Sequence, residues 1–207
     1  MILALDTSGG ELLACLLDDT LEVVATRVAP GPRHQDVILD VVGELLGDGA
    51  AVARLQAIAV VRGPGSQTGL RVGLSTAAGM AYGGRVGLLP LSSLAVAAHR
   101  TEVPGEVLAM VSAGRSNVYA QRAGARREMV GARVLCGIAE VTDRLGGAGA
   151  PALIGEPALM ARAEALGMGV AETTRSAGGA LAAAVRDALN AGALLAYHQL
   201  TGDYGES

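Results

Sequence analysis

Phenylalanine, tryptophan and lysine are all missing from these 207 residues, and each absence closes off a class of chemistry. With aromatics at 2% and hydrophobic residues at 51%, the core has to be built from Leu, Val, Ile and Ala, through many small contacts and close helix approaches. The aromatic platforms that hold single-stranded nucleic acid are lacking too, because only Tyr82, Tyr119, Tyr197 and Tyr204 could stack. Without lysine there is no Gly-Lys-Ser/Thr phosphate loop, and all 16 basic residues are arginine. A net charge of −4 argues against nucleic-acid binding by the field of the whole chain, although a local arginine patch stays open. Cys15 and Cys136 are isolated, one in an apolar strand pattern and one beside a glycine, so buried thiols are expected rather than a disulfide or metal pair. None of His34, His99 and His198 has a second histidine at helical i, i+4 spacing, which excludes that metal motif; His99 and His198 read as surface or capping residues. Ser66 has Pro64 and Thr68 two residues away on either side, and Ser75 has Ala77 two residues after it, so neither is the centre of a G-x-S-x-G elbow. The start lacks a basic region and meets Asp6 and Glu11 early, and no run reaches the roughly 18 apolar residues of a membrane span; a cytoplasmic protein is expected.

What is present is most concentrated at Gly63-Pro64-Gly65-Ser66-Gln67-Thr68-Gly69-Leu70-Arg71-Val72-Gly73, directly after the apolar run 57–61. It reads as a strand end, a tight loop and a helix start, where α/β proteins meet ligands and where unpaired N–H groups face outward. The third glycine comes one residue late for a dinucleotide fingerprint, and no acid follows at the required distance. From Gly49 through Thr101 there is no Asp or Glu, while Arg54, Arg62, Arg71, Arg85 and Arg100 fall within that window. A purely structural turn and an anion or partner site both fit this segment. Arg71, one residue into a helix predicted over 70–83, opposes the helix dipole and calls for a compensating partner.

Along the chain, strands are expected at 1–7, 11–18 and 21–28, then a Pro30-Gly31-Pro32 breaker and an amphipathic helix at 34–46. Strand 57–62, helix 70–83, strand 86–89 and helix 91–99 complete a first unit. A second unit follows with strands 106–112, 117–122, 132–135, 152–155 and 168–172, helices 137–145, 157–167 and 177–192, and a frayed tail over 193–207. The two α/β halves, 1–100 and 101–207, each open on hairpins and suggest a duplicated architecture, with the C-terminal helix packing back on the first half. Helix 70–83 carries Gly73, Ser75, Ala77, Ala78, Gly79, Ala81 and Gly83, and interior glycines cost about 1 kcal/mol each relative to alanine, so close packing has to offset them. Another element of this chain or a partner helix could supply it. Asp6-Thr7-Ser8 ends the first strand, where a carboxylate could hold magnesium and hydroxyls face a phosphate, or where the three residues simply start a turn. The corresponding hairpin of the second half, Ser112-Ala113-Gly114-Arg115, has no acid.

With Ile2-Leu3-Ala4-Leu5-Asp6-Thr7-Ser8 at the start, Arg33-His34 opening the first helix and the Gly63–Gly73 motif after them, the chain resembles the TsaB (YeaZ) family, well over its first hundred residues and in outline over the second. The resemblance implies an actin-like, sugar-kinase-like (ASKHA) α/β fold with two RNase H-like lobes. It implies a catalytically silent subunit of bacterial tRNA N6-threonylcarbamoyladenosine synthesis that binds and activates a TsaD-type transferase, with a TsaE-type ATPase as third component and tRNA engaged indirectly. No cofactor or metal would be intrinsic; ATP, magnesium and a metal held by TsaD would serve the assembled complex. Asp6, Thr7, Ser8, Arg33, His34, Gly63, Pro64, Gly65, Ser66, Thr68, Gly69 and Arg71 become the candidate ligand or partner loops. Val37, Val41, Leu74, Ala78 and Gly79, on the two first-lobe helices, become the partner interface, which a homodimer would also use. Gln67 stands where the family usually has Phe, and the usual Pro-x-Tyr-Leu-Arg near the C-terminus is replaced by Ala196-Tyr197-His198. Two other readings remain on the same residues: an ATP-dependent small-molecule kinase using Asp6, disfavoured by the missing second carboxylate, and a metallopeptidase, disfavoured by the missing metal histidines.

Overall fold

The structure is a computed structural model that describes residues 1–31, 33–47, 52–114, 116–146 and 151–203. Pro32, Arg115 and the end of the expected frayed tail, 204–207, lie outside the described residues. Strands β1 (Ile2–Asp6), β2 (Glu11–Leu17), β3 (Val23–Pro30), β4 (Ala57–Gly63) and β5 (Gly87–Ser92) form one sheet in the order β3-β2-β1-β4-β5. Strands β6 (Val107–Ser112), β7 (Asn117–Ala123), β8 (Met129–Gly137) and β9 (Ala152–Ile154) form a second, in the order β8-β7-β6-β9. In both, two antiparallel hairpin links are followed by a parallel strand that returns to the central one, β4 beside β1 and β9 beside β6. The central strands are buried on both faces, which is why Ile2-Leu3-Ala4-Leu5 and Val107-Leu108-Ala109-Met110 read as unbroken apolar runs rather than alternating ones. Edge strand β3 instead exposes Val24 and Arg27.

Helix α1 (His34–Leu46) lays Ile38, Val41, Val42, Leu45 and Leu46 on the first sheet, as its four-residue apolar step requires. Helix α2 (Gln67–Gly84) begins three residues earlier than expected, because the Ser66 hydroxyl caps it by accepting from the Gly69 N–H at 3.3 Å. Arg71 is therefore the fifth residue of the helix, clear of the first turn where a cation is most disfavoured. It also takes part in an interaction within the chain. Helix α3 (Ser93–Ala98) packs Leu94, Ala97 and Ala98 against Val107, Ala109, Val111 and Ile154 of the second sheet and buries Val96 in the core of the first, so it bridges the two sheets. Helices α4 (Val141–Leu145) and α5 (Pro157–Ala165) serve the second sheet; the expected helix 137–145 is in fact a 3-10 turn, Ile138–Glu140, running into α4. Helix α6 (Ala177–Asn190) follows the second sheet in sequence, yet Ala180, Leu181, Ala184 and Val185 are buried in the first core, with Gly178 against Cys15 and Thr26.

Other expectations are corrected. The strand expected at 168–172 is reduced to one parallel bridge, Val170 with Leu153, in the position that β5 fills in the first sheet; Gly167 and Gly169, both just before it, leave little to pack a longer strand. The described part of the tail is pinned down: Leu195 bridges Leu88, Tyr197 packs edge-on to Tyr82 with ring centroids 5.1 Å apart, and the Asp203 N–H donates to the Arg62 carbonyl at 2.7 Å. Asp203 also pairs with Arg133 of the second sheet. His99 is buried at the end of α3 and hydrogen-bonded to Asp187 at 2.8 Å, whereas His198 is exposed. Cys15 and Cys136 are both buried free thiols on different sheets, as expected. Among the described residues, no helix is long and apolar enough to cross a membrane. Arg127, buried, turns its guanidinium onto the carbonyls of Thr101, Val103 and Gly105 and thereby fixes the link between the two halves.

Candidate functional site

The ends of the central strands meet between the two sheets. The turn after β1 is closed by Asp6, whose Oδ1 accepts from the Ser8 N–H at 2.9 Å and from the Ser8 hydroxyl at 2.6 Å. The loop after β4 is tied to it: the Ser66 N–H donates to the Ser8 carbonyl at 2.8 Å, and the Ser93 hydroxyl donates to the Pro64 carbonyl. Gly65 is required here, since a Cβ would stand 2.6 Å from the Ser8 carbonyl oxygen. Gly63, at φ +123°, has the Asp203 carbonyl packed against its Cα.

Below this turn, α2 is seated by its glycines. A Cβ at Gly69 would overlap the Thr7 carbonyl oxygen, and one at Gly73 would overlap the Thr7 hydroxyl. Thr7 is fully buried, so its hydroxyl faces α2 and does not present itself to a phosphate. The question left open for the small-residue helix is thus divided between its two faces. Gly69, Gly73, Ala77 and Ala81 are buried within the chain, while Gly79 and Gly83 have nothing within 4 Å of a built Cβ. Of the residues expected at a partner interface, Val41 and Leu74 are held in the first core, whereas Val37 and Ala78 are half-buried and Gly79 is exposed. Arg71 lines a groove of about 380 Å³ between α1 and α2, with Gln35, Ile38, Leu39, Val72, Ser75 and Thr76.

The β1–β2 turn separates two cavities. One, about 510 Å³, is lined by Ser8, Gly9, Gly10, His34, Gly65, Ser66, Gln67, Ser112, Ala113, Gly114 and Tyr119, and brings together loops of both halves. The other, about 490 Å³, is lined in part by Asp6, Glu11, Ser93, Arg100 and Glu156. Thr68 and Arg33 line neither; both are exposed, and Arg33 lies 3.9 Å from Asp36.

The second cavity supplies what the sequence reading missed. No acid stands at the β6–β7 hairpin, but Glu156, between β9 and α5, rests its carboxylate against Gly9 and faces Asp6. Burial holds both carboxyl groups above the usual range, that of Asp6 against the opposing pull of its Ser8 bonds, and that of Glu156 with the nearby Asp6 charge adding to the effect. Arg100 lies close enough to favour the charged form of each. The signal was legible in outline: Gly155-Glu156-Pro157 has the same strand, glycine and helix-start grammar as Gly63-Pro64-Gly65, with Pro157 at the helix start where proline fits. Among the described residues, no group of three or more His, Cys, Asp or Glu is arranged to hold a metal.

Two sheets of equivalent topology, joined by α3 and facing each other across a cleft at their strand ends, define a two-lobed actin-like α/β protein with RNase H-like lobes. The fold is shared with a Pseudomonas aeruginosa protein described as similar to peptidase YEAZ, at TM-score 0.80 and 24% identity over 99% of both chains. It is shared more distantly with the activator of 2-hydroxyisocaproyl-CoA dehydratase from Clostridium difficile, solved with ADPNP, at TM-score 0.53 and 11% identity over 92% of this chain and 96% of that one. By sequence, the tRNA threonylcarbamoyladenosine biosynthesis proteins TsaB of Haemophilus influenzae and Escherichia coli are 34% and 31% identical over 57% of this chain. The chain spans about half the length of these curated relatives, 51% and 52%. The family model for TsaD, tRNA N6-adenosine threonylcarbamoyltransferase, matches residues 28–197, and the chain belongs to this family, on its TsaB (YeaZ) side.

Proposed function

We propose that this chain is a non-catalytic subunit of bacterial tRNA N6-threonylcarbamoyladenosine synthesis that binds and activates a TsaD-type transferase through the outer face of α1 and α2. The observation that carries the reading is the division of α2. Its inner glycines are consumed by Thr7, while Gly79 and Gly83, which cost helix stability, border open space on the helix that carries exposed Tyr82, and exposed Leu39 of α1 lines the groove between the two helices. A partner helix could approach closely there, and the relatives named for threonylcarbamoyladenosine biosynthesis supply its class. In this reading a TsaE-type ATPase completes the assembly, ATP, magnesium and a metal are used on the TsaD side, tRNA is engaged indirectly, and the complex works in the cytoplasm. The test is to mix the purified chain with a TsaD-type protein and follow complex formation. Ala78→Arg should abolish association, by steric overlap and a buried charge, while circular dichroism stays native. Unchanged affinity with native dichroism would move the interface elsewhere.

A second reading is favoured by one observation, the Asp6 and Glu156 carboxylates facing each other beside Arg100. These acids would suit an ATP-dependent phosphotransferase of the same fold, for which the sequence alone offered a single carboxylate. Magnesium-dependent ATP hydrolysis by the isolated chain, abolished in Asp6→Ala, would replace the silent-subunit reading with this one.

A further inference from the structure

The chain after α6 runs along the first lobe and then reaches the second, and each step of its path is fixed by a specific contact. Leu195 and Leu88 exchange both backbone hydrogen bonds, at 2.7 and 2.9 Å, and a Cβ at Gly87 would meet the Leu194 side chain at 2.7 Å. A 3-10 turn, Tyr197–Gln199, follows. The Gln199 side chain accepts from the Ala196 N–H at 2.9 Å, and Tyr197 packs edge-on to Tyr82 near the end of α2. Leu200 then packs against the first core.

Asp203 carries the segment across. Its N–H donates to the Arg62 carbonyl at the end of β4, its carbonyl lies against Gly63, and its carboxylate pairs with Arg133 on β8 of the second lobe. Gly63 is what admits this seat, since a Cβ there would stand 2.0 Å from the Asp203 carbonyl oxygen. The Arg133 and Asp203 side chains are 24% and 30% exposed, so their attraction is screened less than that of a surface pair. Arg133 is steadied in turn by Tyr119 of β7, whose ring centroid is 5.5 Å from the guanidinium carbon. The chain itself passes between the lobes at the link fixed by Arg127 and again on its way to α6. The Asp203–Arg133 contact adds a tie that is noncovalent and can be released.

We propose that residues 194–203 form a releasable strap that holds the two lobes at a fixed opening, with the Asp203–Arg133 pair as its clasp. Lobes joined by narrow connections turn about them, and an ion pair that spans them restricts that motion. The strap is independent of whether a partner docks in the α1–α2 groove.

Spin labels on Gln67→Cys in the first lobe and Asn117→Cys in the second, both exposed positions, report the opening by pulsed dipolar distance measurement, with the buried Cys15 and Cys136 left unlabelled. The doubly labelled chain should give one narrow distance distribution. Arg133→Asp sets two carboxylates against each other and should broaden that distribution about twofold. The charge swap, Arg133→Asp with Asp203→Arg, should narrow it again, a rescue that neither misfolding nor loss of the Tyr119 contact can produce. Leu195→Pro removes the N–H that Leu88 accepts and should broaden the distribution with both clasp residues intact. Native circular dichroism confirms that each variant is folded. An unchanged distribution in either Arg133→Asp or Leu195→Pro, or a swap that fails to narrow it, would overturn the strap.

Discussion

The two lobes share one strand order but finish it differently, and the difference explains where the chemistry gathers. In the first lobe the acid stands at the end of the central strand, Asp6, and the helix after β4 is long, poor in bulk and seated directly on Thr7. In the second lobe the central strand ends in Ser112, the fifth strand shrinks to the Val170 bridge, and the acid, Glu156, stands at the start of the short helix after β9. Each lobe uses one glycine to let the loop after its parallel strand approach the neighbouring chain: Gly65 against Ser8, Gly155 against Met110. The two lobes thus share a backbone grammar but carry the charged residue at different points in it. Two carboxylates at non-equivalent positions line one cavity between the lobes.

The largest effect should come from the seating of the helices. Gly69→Ala drives a methyl into the Thr7 backbone carbonyl and should lower unfolding free energy by about 3 kcal/mol in urea. Gly155→Ala meets the Met110 carbonyl at 2.6 Å and the flexible end of Met160 at 3.1 Å, and should lose about 1–2 kcal/mol. Equal losses would mean that the two junctions are packed alike.

The carboxylate pair gives the next effect. Both carboxyl groups titrate above their ordinary values in the folded chain. The stability linked to their protonation is therefore fully present below the unfolded-state values and is lost as pH rises through the folded ones, so at neutral pH burial of the two groups opposes folding. Asp6→Asn and Glu156→Gln should each raise the melting temperature at pH 7, by about 2–4 °C if the relief is near 1 kcal/mol. The advantage should shrink as the buffer is taken down to about pH 4. A constant advantage across that range would detach the effect from their titration.

The smallest effect compares the two faces of α2. Gly79→Ala, on the open face, should stabilise the chain by about 0.5–1 kcal/mol through helix propensity alone, against the loss expected at Gly69. Destabilisation in thermal melts would show that the outer face is already packed in the free chain.

Much of this was legible from pattern. The four-residue apolar step of α1 gave its limits, His34 to Leu46, because a helix laid on a sheet must repeat its buried positions with its own turn. The hairpin at Ser8-Gly9-Gly10 and the strand-turn-helix at Gly63 were readable for the same reason, since turn chemistry is local. The start of α2 was misjudged because the glycines at 69 and 73 lower helix propensity, and only the Ser66 cap and the contact with Thr7 outweigh it. Glu156 was not legible because it does not stand at the hairpin equivalent to Asp6, and equivalence of topology does not require equivalence of charge.

Local order belonged to the sequence itself: the hairpin openings, the glycine loop, the amphipathic helix, the isolated free thiols and the absence of a lysine phosphate loop all follow from residue type and spacing, which act over a few residues. Tertiary structure decided the rest. It turned Thr7 inward under α2, left the His34 ring without a partner between the lobes, brought Glu156 from 150 residues away to face Asp6, and carried α6 and the tail back onto the first sheet. These outcomes depend on which surfaces can be packed together without leaving voids or clashes, a condition on the whole chain that no short stretch of it contains.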